Sequence, residues 1–322
     1  IIRGYGNIGL LWQDLVSWPI FFFGAVMLTE PITTPSRNKF RIIFAILVGI
    51  LFGIPFSFGP VFSTPELSLL IGNIFSIFVN IKRRLILSLK EKREIAQNTY
   101  EFIFTSEKKV NYIPGQYIEC TLPHDQVDDR GDRRYFTLAS SPTESEIKLG
   151  IKFANNPSSF KKSLLKMKSG DLLYAGQLAG DFILSKNLAE KTVFIAGGIG
   201  ITPFRSMMQY VLDKNEPRSI ILLYTSKTEL ELAYRDVFER AAEELHVNTI
   251  YVLTDINEVP VDWKGEKGFV TKEMISQEIP DYKERFFYLS GPTAMVNNYK
   301  KLLLQMGVHR KKIMTDYFPG FA

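Results

Sequence analysis

One turn constrains this chain more than any other feature. Thr192 to Ala196 is a short apolar run, followed at once by Gly197-Gly198-Ile199-Gly200-Ile201-Thr202-Pro203 and an amphipathic run to Leu212. A strand that feeds a glycine turn and then a helix points backbone N–H groups at one spot, where an anionic pyrophosphate is stabilised. Pro203 stands where a third glycine of the strict G-x-G-x-x-G pattern would be, and it suits the first turn of a helix. Further strand-like runs follow at Ser219–Tyr224, Asn248–Leu253 and Phe286–Leu289, separated by helical stretches such as Leu230–Leu245. This alternation predicts a parallel sheet covered by helices, with ligand at the carboxyl ends of the strands. Those ends carry Gly197, Thr225-Ser226-Lys227, Asp255 and Ser290-Gly291-Pro292.

The preceding hundred residues read differently. From about Leu85 short strands alternate with turn residues: Thr99–Thr105 is one, and Pro114-Gly115-Gln116-Tyr117 opens another that runs to Leu122. No helical period appears until after Pro157, so a small antiparallel barrel is expected. Within it, Arg133-Arg134-Tyr135-Phe136-Thr137-Leu138-Ala139-Ser140-Ser141-Pro142 offers a guanidinium for phosphate, rings for stacking and hydroxyl donors. The same run also reads as ordinary aromatic core. Asn156-Pro157-Ser158-Ser159-Phe160-Lys161 opens a helical stretch to Met167. Its serines suit either a plain N-cap or an anion site at the helix terminus.

Composition matters mainly at the amino-terminal end. The 46% hydrophobic average conceals a first eighty residues dominated by Phe, Ile, Leu and Gly. Three apolar stretches lie between Asp14 and Glu30, from Ile42 to about Phe62, and between Glu66 and Lys82. They are expected to be three transmembrane helices, the outer two short and the middle one interrupted by Gly53 and Pro55. Arg37, Lys39 and Arg41 fill the first loop and Lys82, Arg83 and Arg84 follow the third stretch. Positive-inside logic then gives a multi-pass membrane protein, in contact with lipid, whose remaining domains are cytoplasmic. The chain begins at Ile1 without a signal-peptide n-region, and it reads as a fragment of something longer.

Several classes are disfavoured. Cys120 is the sole cysteine, so the chain offers no four-cysteine iron–sulfur site, cysteine zinc site or disulfide framework. No histidine precedes His124, which argues against a haem pair in the apolar segment. The net charge of +5 is mild, and no nucleic-acid-binding motif is present.

Taken in order, these motifs resemble the ferredoxin–NADP reductase superfamily. The resemblance implies an FAD-binding barrel over 85–186 and an NAD(P)-binding α/β domain over 187–322, after a transmembrane segment over 1–84. The family's Arg-x-Tyr-Ser/Thr element maps to Arg134, Tyr135, Phe136 and Thr137. It implies that Arg134 contacts the FAD pyrophosphate, that Phe136 stacks on the flavin without the phenol hydrogen bond, and that Thr137 lies near flavin N5. Ser158 and Ser159 fall at the second pyrophosphate contact, and Gly176-Gln177-Leu178-Ala179-Gly180-Asp181-Phe182 matches the loop closing the domain. Gly197, Gly198, Gly200, Thr202 and Pro203 match the nicotinamide-dinucleotide turn. Ser290-Gly291-Pro292 with Met295 matches Cys-Gly-Pro-x-x-Met, with Ser290 replacing the cysteine beside the nicotinamide. Ser226 and Lys227 lie where the adenosine ribose is read. Lys227 either pairs with a 2′-phosphate, favouring NADPH over NADH, or is a solvated loop charge. Phe318 and Phe321 are candidates to cover the flavin, with a core role the simpler reading for Phe318.

Met27-Leu28-Thr29-Glu30-Pro31-Ile32-Thr33-Thr34-Pro35 and Asn80-Ile81-Lys82-Arg83-Arg84 resemble the last spans of the D subunit of Rnf complexes and the B subunit of sodium-translocating NADH:quinone reductases. The covalent flavin attachment motif of those subunits does not occur. The combination implies hydride transfer from NAD(P)H to FAD, then electrons to a membrane flavin or quinone. Two alternatives stand beside it: a reductase for a soluble ferredoxin or oxygenase component, with the spans as anchor only, and a non-catalytic redox sensor.

Overall fold

The structure is a computed structural model that describes residues 34–35, 38–54, 56–59, 61–79 and 85–318. It divides into two compact units, 1–83 and 84–322.

In the first unit, α1 (Asn38–Gly53) is followed by a two-stranded hairpin, β1 (Ser57–Phe58) and β2 (Val61–Phe62), and then α2 (Pro65–Val79). Thr64 caps α2 by accepting the Leu67 amide at 3.1 Å. Ser68, Gly72 and Ser76 form a buried stripe on α2, one helical turn apart. The small stripe lets Phe44 and Val48 of α1 come so close that a Cβ on Gly72 would strike both.

This architecture corrects the membrane reading. The middle stretch does not run helically from Ile42 to Phe62, because α1 stops at Gly53 and the chain turns into β1. Gly53 is the last helical residue, a position where glycine weakens the helix, and the Ile54 amide, 3.0 Å from the Ile50 carbonyl, extends the ladder one bond past it. At 16 and 15 residues, α1 and α2 fall short of the roughly 20 needed to span a bilayer. No helix among the described residues is long and apolar enough to cross a membrane. The multi-pass placement is therefore overturned, together with the cytoplasmic orientation derived from it. The stretch between Asp14 and Glu30 lies outside the described residues.

The second unit contains two six-stranded sheets. The first is antiparallel, in the order β6-β5-β8-β3-β4-β7. Its strands are β3 (Leu85–Ala96), β4 (Thr99–Ser106), β5 (Tyr117–Thr121), β6 (Arg133–Thr137), β7 (Ile147–Lys152) and β8 (Leu172–Ala179), with α3 (Ser159–Lys166) between β7 and β8. Its edges meet: Leu138, just past β6, bridges Leu149 of β7, and the Ala139 amide donates to the Lys148 carbonyl at 2.9 Å. Closure into a barrel satisfies both edges and encloses a core that includes Leu87, Phe102, Phe104, Ile118 and Phe160.

The second sheet is parallel, in the order β12-β11-β10-β9-β13-β14. It comprises β9 (Thr192–Gly197), β10 (Ile220–Ser226), β11 (Asn248–Leu253), β12 (Glu266–Lys267), β13 (Phe286–Pro292) and β14 (Ile313–Phe318). The crossover helices are α4 (Thr202–Lys214), α5 (Arg235–Leu245), α6 (Lys272–Glu278) and α7 (Thr293–Gln305). Buried clusters lie on both faces, as a sandwiched parallel sheet requires. The helix expected from Leu230 starts only at Arg235, because Tyr234 takes a left-handed conformation with φ of 61°.

The barrel and the parallel sheet are joined through α4. Arg205 is 4% exposed. Its Nη1 donates to the Ala139 carbonyl at 3.0 Å, and its guanidinium pairs with Glu144, with Nη2 to Oε1 at 3.1 Å. The Ser206 hydroxyl donates to the Ser140 carbonyl at 2.5 Å. Burial alone would raise the Glu144 carboxyl, but hydrogen bonds from Arg205, Lys148 and the Ser141 amide hold it below the usual carboxylate range. Replacing Arg205 with methionine keeps its bulk but strands both the Ala139 carbonyl and part of the Glu144 charge. We expect a loss of about 3 kcal/mol, read as a lower Tm in thermal unfolding; an unchanged Tm would remove the clamp from this account.

Candidate active site

Two places gather the residues singled out by sequence. The first lies where β6 meets α3. Alternation along β6 puts Arg134 and Phe136 on one face, both against Phe160: the Arg134 guanidinium sits 5.4 Å from that ring and the Phe136 ring 5.8 Å from it. Ser158 caps α3 by accepting the Lys161 amide at 3.4 Å, and Ser159 begins the helix. Arg134 is held in place by the Arg130, Gly131 and Arg133 carbonyls and by Asp128 Oδ1 at 3.0 Å. Positive charge is in excess here. Burial lowers the Lys161 ammonium, and Arg130 and Arg134 lower it further. A guanidinium, a helix N-terminus and surplus positive potential suit a dianionic pyrophosphate.

Tyr135 and Thr137 lie on the opposite face of β6. Tyr135 is exposed and meets Tyr117 edge-on at 5.6 Å, while Thr137 is buried and pairs in register with Tyr117. Tyr117 leads to the second place, a cavity of about 260 Å³. Gly115, Tyr117, Gly180, Asp181 and Phe182 line it from the barrel side, and Met314, Thr315 and Asp316 from β14.

Asp316 pairs in register with Ser290 at the carboxyl end of β13. Burial pushes its carboxyl up to about 6, although the Ser290 hydroxyl and Tyr317 amide act in the other sense. The Ser290 hydroxyl is fully buried and makes no hydrogen bond of normal geometry among the described residues. A buried hydroxyl that neighbours the Asp316 carboxyl, itself part of the cavity wall, suits a ligand carbonyl or amide.

The glycine turn follows β9 as a 3-10 turn, Gly198–Ile201, leading into α4 with Pro203 in its first turn. The glycines differ in purpose. A Cβ on Gly200 would press into the Ser290 carbonyl and Gly291, so this residue lets the turn pack on β13. Gly198 has φ of 51°, and nothing lies within 4 Å of where its Cβ would be. A side chain there would fill the approach to the turn's amides. Thr202 is fully buried and spends its hydroxyl on the Ile199 carbonyl at 3.1 Å. Gly197 and Gly291 face each other across Met295, while exposed Pro292 pairs with Phe318 at the end of β14. Phe321 lies outside the described residues.

At the end of β10, Ser226 is buried, and the next residue, Lys227, is exposed. The Ser226 hydroxyl is 3.5 Å from Glu231 Oε2, which also pairs with Lys152 Nζ of β7 at 2.8 Å. Asp128 and Glu231 were not picked out by sequence reasoning, and Asp316 stood there only as the first residue of the tail Asp316-Tyr317-Phe318-Pro319-Gly320-Phe321, with no role of its own. Each also has a partner distant in the chain, Ser159 for Asp128, Lys152 for Glu231 and Ser290 for Asp316, which no linear spacing announces.

Comparison with known proteins agrees with this arrangement. Residues 194–301 match the family model described as the oxidoreductase NAD-binding domain. Flavohemoprotein B of Dictyostelium discoideum is 24% identical over 71% of this chain and 57% of its own length. The glycine betaine monooxygenase reductase subunit of Pseudomonas aeruginosa is 23% identical over 70% of this chain and 62% of its own. NADH-cytochrome b5 reductase 1 of Aspergillus terreus is 29% identical over 68% and 76%. The chain thus spans little more than half the length of the flavohemoproteins it matches. Among solved structures, the Amycolatopsis cytochrome P450 reductase GcoB superposes with a TM-score of 0.65 at 23% identity, covering 74% of this chain and 70% of that one. The FAD/NAD-binding domain of nitric oxide dioxygenase from Vibrio cholerae gives 0.63 at 20% identity, covering 73% and 98%. These likenesses give no support to a fused membrane subunit over 1–84.

Unfolded aspartate loses its proton near about 3.9, whereas the folded Asp316 carboxyl keeps it to about 6. Between those values the folded state binds more protons, so Asp316 erodes stability as pH rises through the window. Denaturant unfolding should show wild type losing about 3 kcal/mol relative to Asp316→Asn between the acid and neutral ends. Parallel pH profiles for the two proteins would refute the buried-carboxyl assignment.

Proposed function

We propose that the chain is an NAD(P)H-dependent flavin oxidoreductase of the ferredoxin–NADP reductase-like type, which takes hydride from NADH and passes electrons to a redox-protein partner. The partner class is the haem or oxygenase component served by the relatives it resembles, such as the monooxygenase reductase subunit. The observation that carries the proposal is the cavity between Tyr117 and Asp316. Barrel residues and the last strand of the parallel sheet meet there, beside Thr137 and Ser290.

FAD, when bound, supplies a two-electron acceptor that releases electrons one at a time. The chain's own residues bind, orient and exclude water. Arg134 and the Ser158–Ser159 end of α3 hold the pyrophosphate, and Phe136 packs beside them. Tyr135 and Tyr117 offer aromatic surface at the cavity mouth, and Thr137 contributes a hydroxyl at its inner wall. Gly198 leaves room for the dinucleotide phosphates against the amides of the 198–201 turn, which leads into α4. Gly197, Gly200, Thr202, Pro203, Gly291 and Pro292 shape that turn and the neighbouring strand end. Ser290, next to the Asp316 carboxyl, presents its hydroxyl to the nicotinamide amide. No general acid or metal is required for hydride transfer. The parts serve mainly to fix the distance between donor and acceptor.

NADH is favoured over NADPH by Glu231. Its carboxylate reaches Ser226, where the adenosine ribose is read, and is held there by Lys152. A carboxylate accepts a ribose 2′-hydroxyl but repels a 2′-phosphate. Lys227 is exposed, consistent with the solvated-charge alternative. Steady-state rates with a one-electron acceptor should show kcat/KM higher for NADH. Glu231→Thr should shift the NADPH/NADH ratio by about tenfold, a change of about 1.4 kcal/mol. A wild-type preference for NADPH, or a ratio unmoved by the substitution, would contradict this assignment.

A further inference from the structure

The loop 123–132 joins β5 to β6 and folds its Asp128 carboxylate onto the donors assigned above to the pyrophosphate. Oδ1 accepts from Arg134 Nη2 at 3.0 Å, and Oδ2 accepts from the Ser159 amide at 3.1 Å. The clasp is reciprocal, since the Ser159 hydroxyl accepts the Asp128 amide at 3.0 Å and lies 2.9 Å from His124 Nε2. Within the loop, Asp128 Oδ1 also accepts the Arg130 amide at 3.1 Å.

A carboxylate and a phosphate ask for the same partners, a guanidinium edge and free N–H groups at a helix start. The Arg134 edge and Ser159 amide that Asp128 engages serve one anion at a time. The loop is able to give way. The Asp128 side chain is 30% exposed, and the segment turns through left-handed residues at Gln126 and Gly131 rather than through barrel core. The site also has charge to spare, because Lys161 stands beside Arg130 and Arg134.

We propose that Asp128 is an intramolecular competitor for the FAD pyrophosphate. Cofactor loading displaces its carboxylate from Arg134 and the Ser159 amide and releases loop 123–132. The inference rests on the reading of Arg134 and Ser159 as the pyrophosphate site. Asp128 then limits FAD affinity, since only the fraction of chains with free donors is competent to bind. A brace that merely positioned Arg134 for the cofactor would have the opposite sign.

The test is an FAD titration of the full chain stripped of flavin, followed by flavin fluorescence, together with amide exchange over the loop. Asp128→Asn and Asp128→Ala should each bind FAD at least about threefold more tightly than wild type. In wild type, FAD should accelerate exchange of the Asp128 amide as its bond to Ser159 is lost. Equal or weaker binding in both variants overturns the proposal, and so does protection of that amide by FAD. Arg134→Gln separates the two levels of argument. If it binds FAD as well as wild type, the pyrophosphate assignment itself fails. If it loses FAD while the Asp128 variants match wild type, only the competitor fails.

Discussion

The buried Arg205–Glu144 pair is the constraint on which the rest of the site depends. A guanidinium from α4 lies almost wholly within the protein, satisfied by a barrel carboxylate and the Ala139 carbonyl. Such a pair is poor as a source of net stability but strict about geometry, because any shift strands a buried charge. It also follows directly from the glycine turn, since Arg205 lies on the first turns of the helix that the turn opens. The helix that the glycine turn opens is therefore the element that ties the barrel to the parallel sheet. The cavity between Tyr117 and Asp316 lies at the same junction, with one wall from the barrel side and the other from β14 of the parallel sheet.

Around that seam the chemistry divides by charge. The α3 end, with Arg134, Arg130 and Lys161, is electropositive and suits the cofactor's phosphates. The region near Ser226 carries Glu231 and suits an uncharged ribose. The cavity holds Asp316, whose burial keeps it neutral over much of the acid range. The three carboxylates thus sit in three different settings: Asp128 against Arg134, Glu231 against Lys152 and Ser226, and Asp316 desolvated at the cavity.

Much of the fold was legible in the sequence because it depends on local period. The runs at Thr192, Asn248 and Phe286 are apolar and bounded by turns, and the structure makes each of them a strand. Helix α3 begins at Ser159 because Pro157 and the Ser158 cap admit it there. What sequence missed depends on long-range partners. Glu231 acquires meaning from Lys152 of the barrel, Asp316 from its register with Ser290, and Asp128 from Ser159. None of these pairings leaves a spacing that a linear reading detects. The membrane reading failed for a related reason. Apolar content was counted across Gly53, while the helix itself ends there and β1 begins four residues later.

The most direct test of the account is anaerobic addition of NADH to the FAD-loaded chain, with protium or deuterium at nicotinamide C4. Direct transfer across the seam predicts that the flavin absorbance bleaches in a single turnover and that deuterium slows it. A bound flavin that stays oxidised with either nucleotide would contradict the account at its centre.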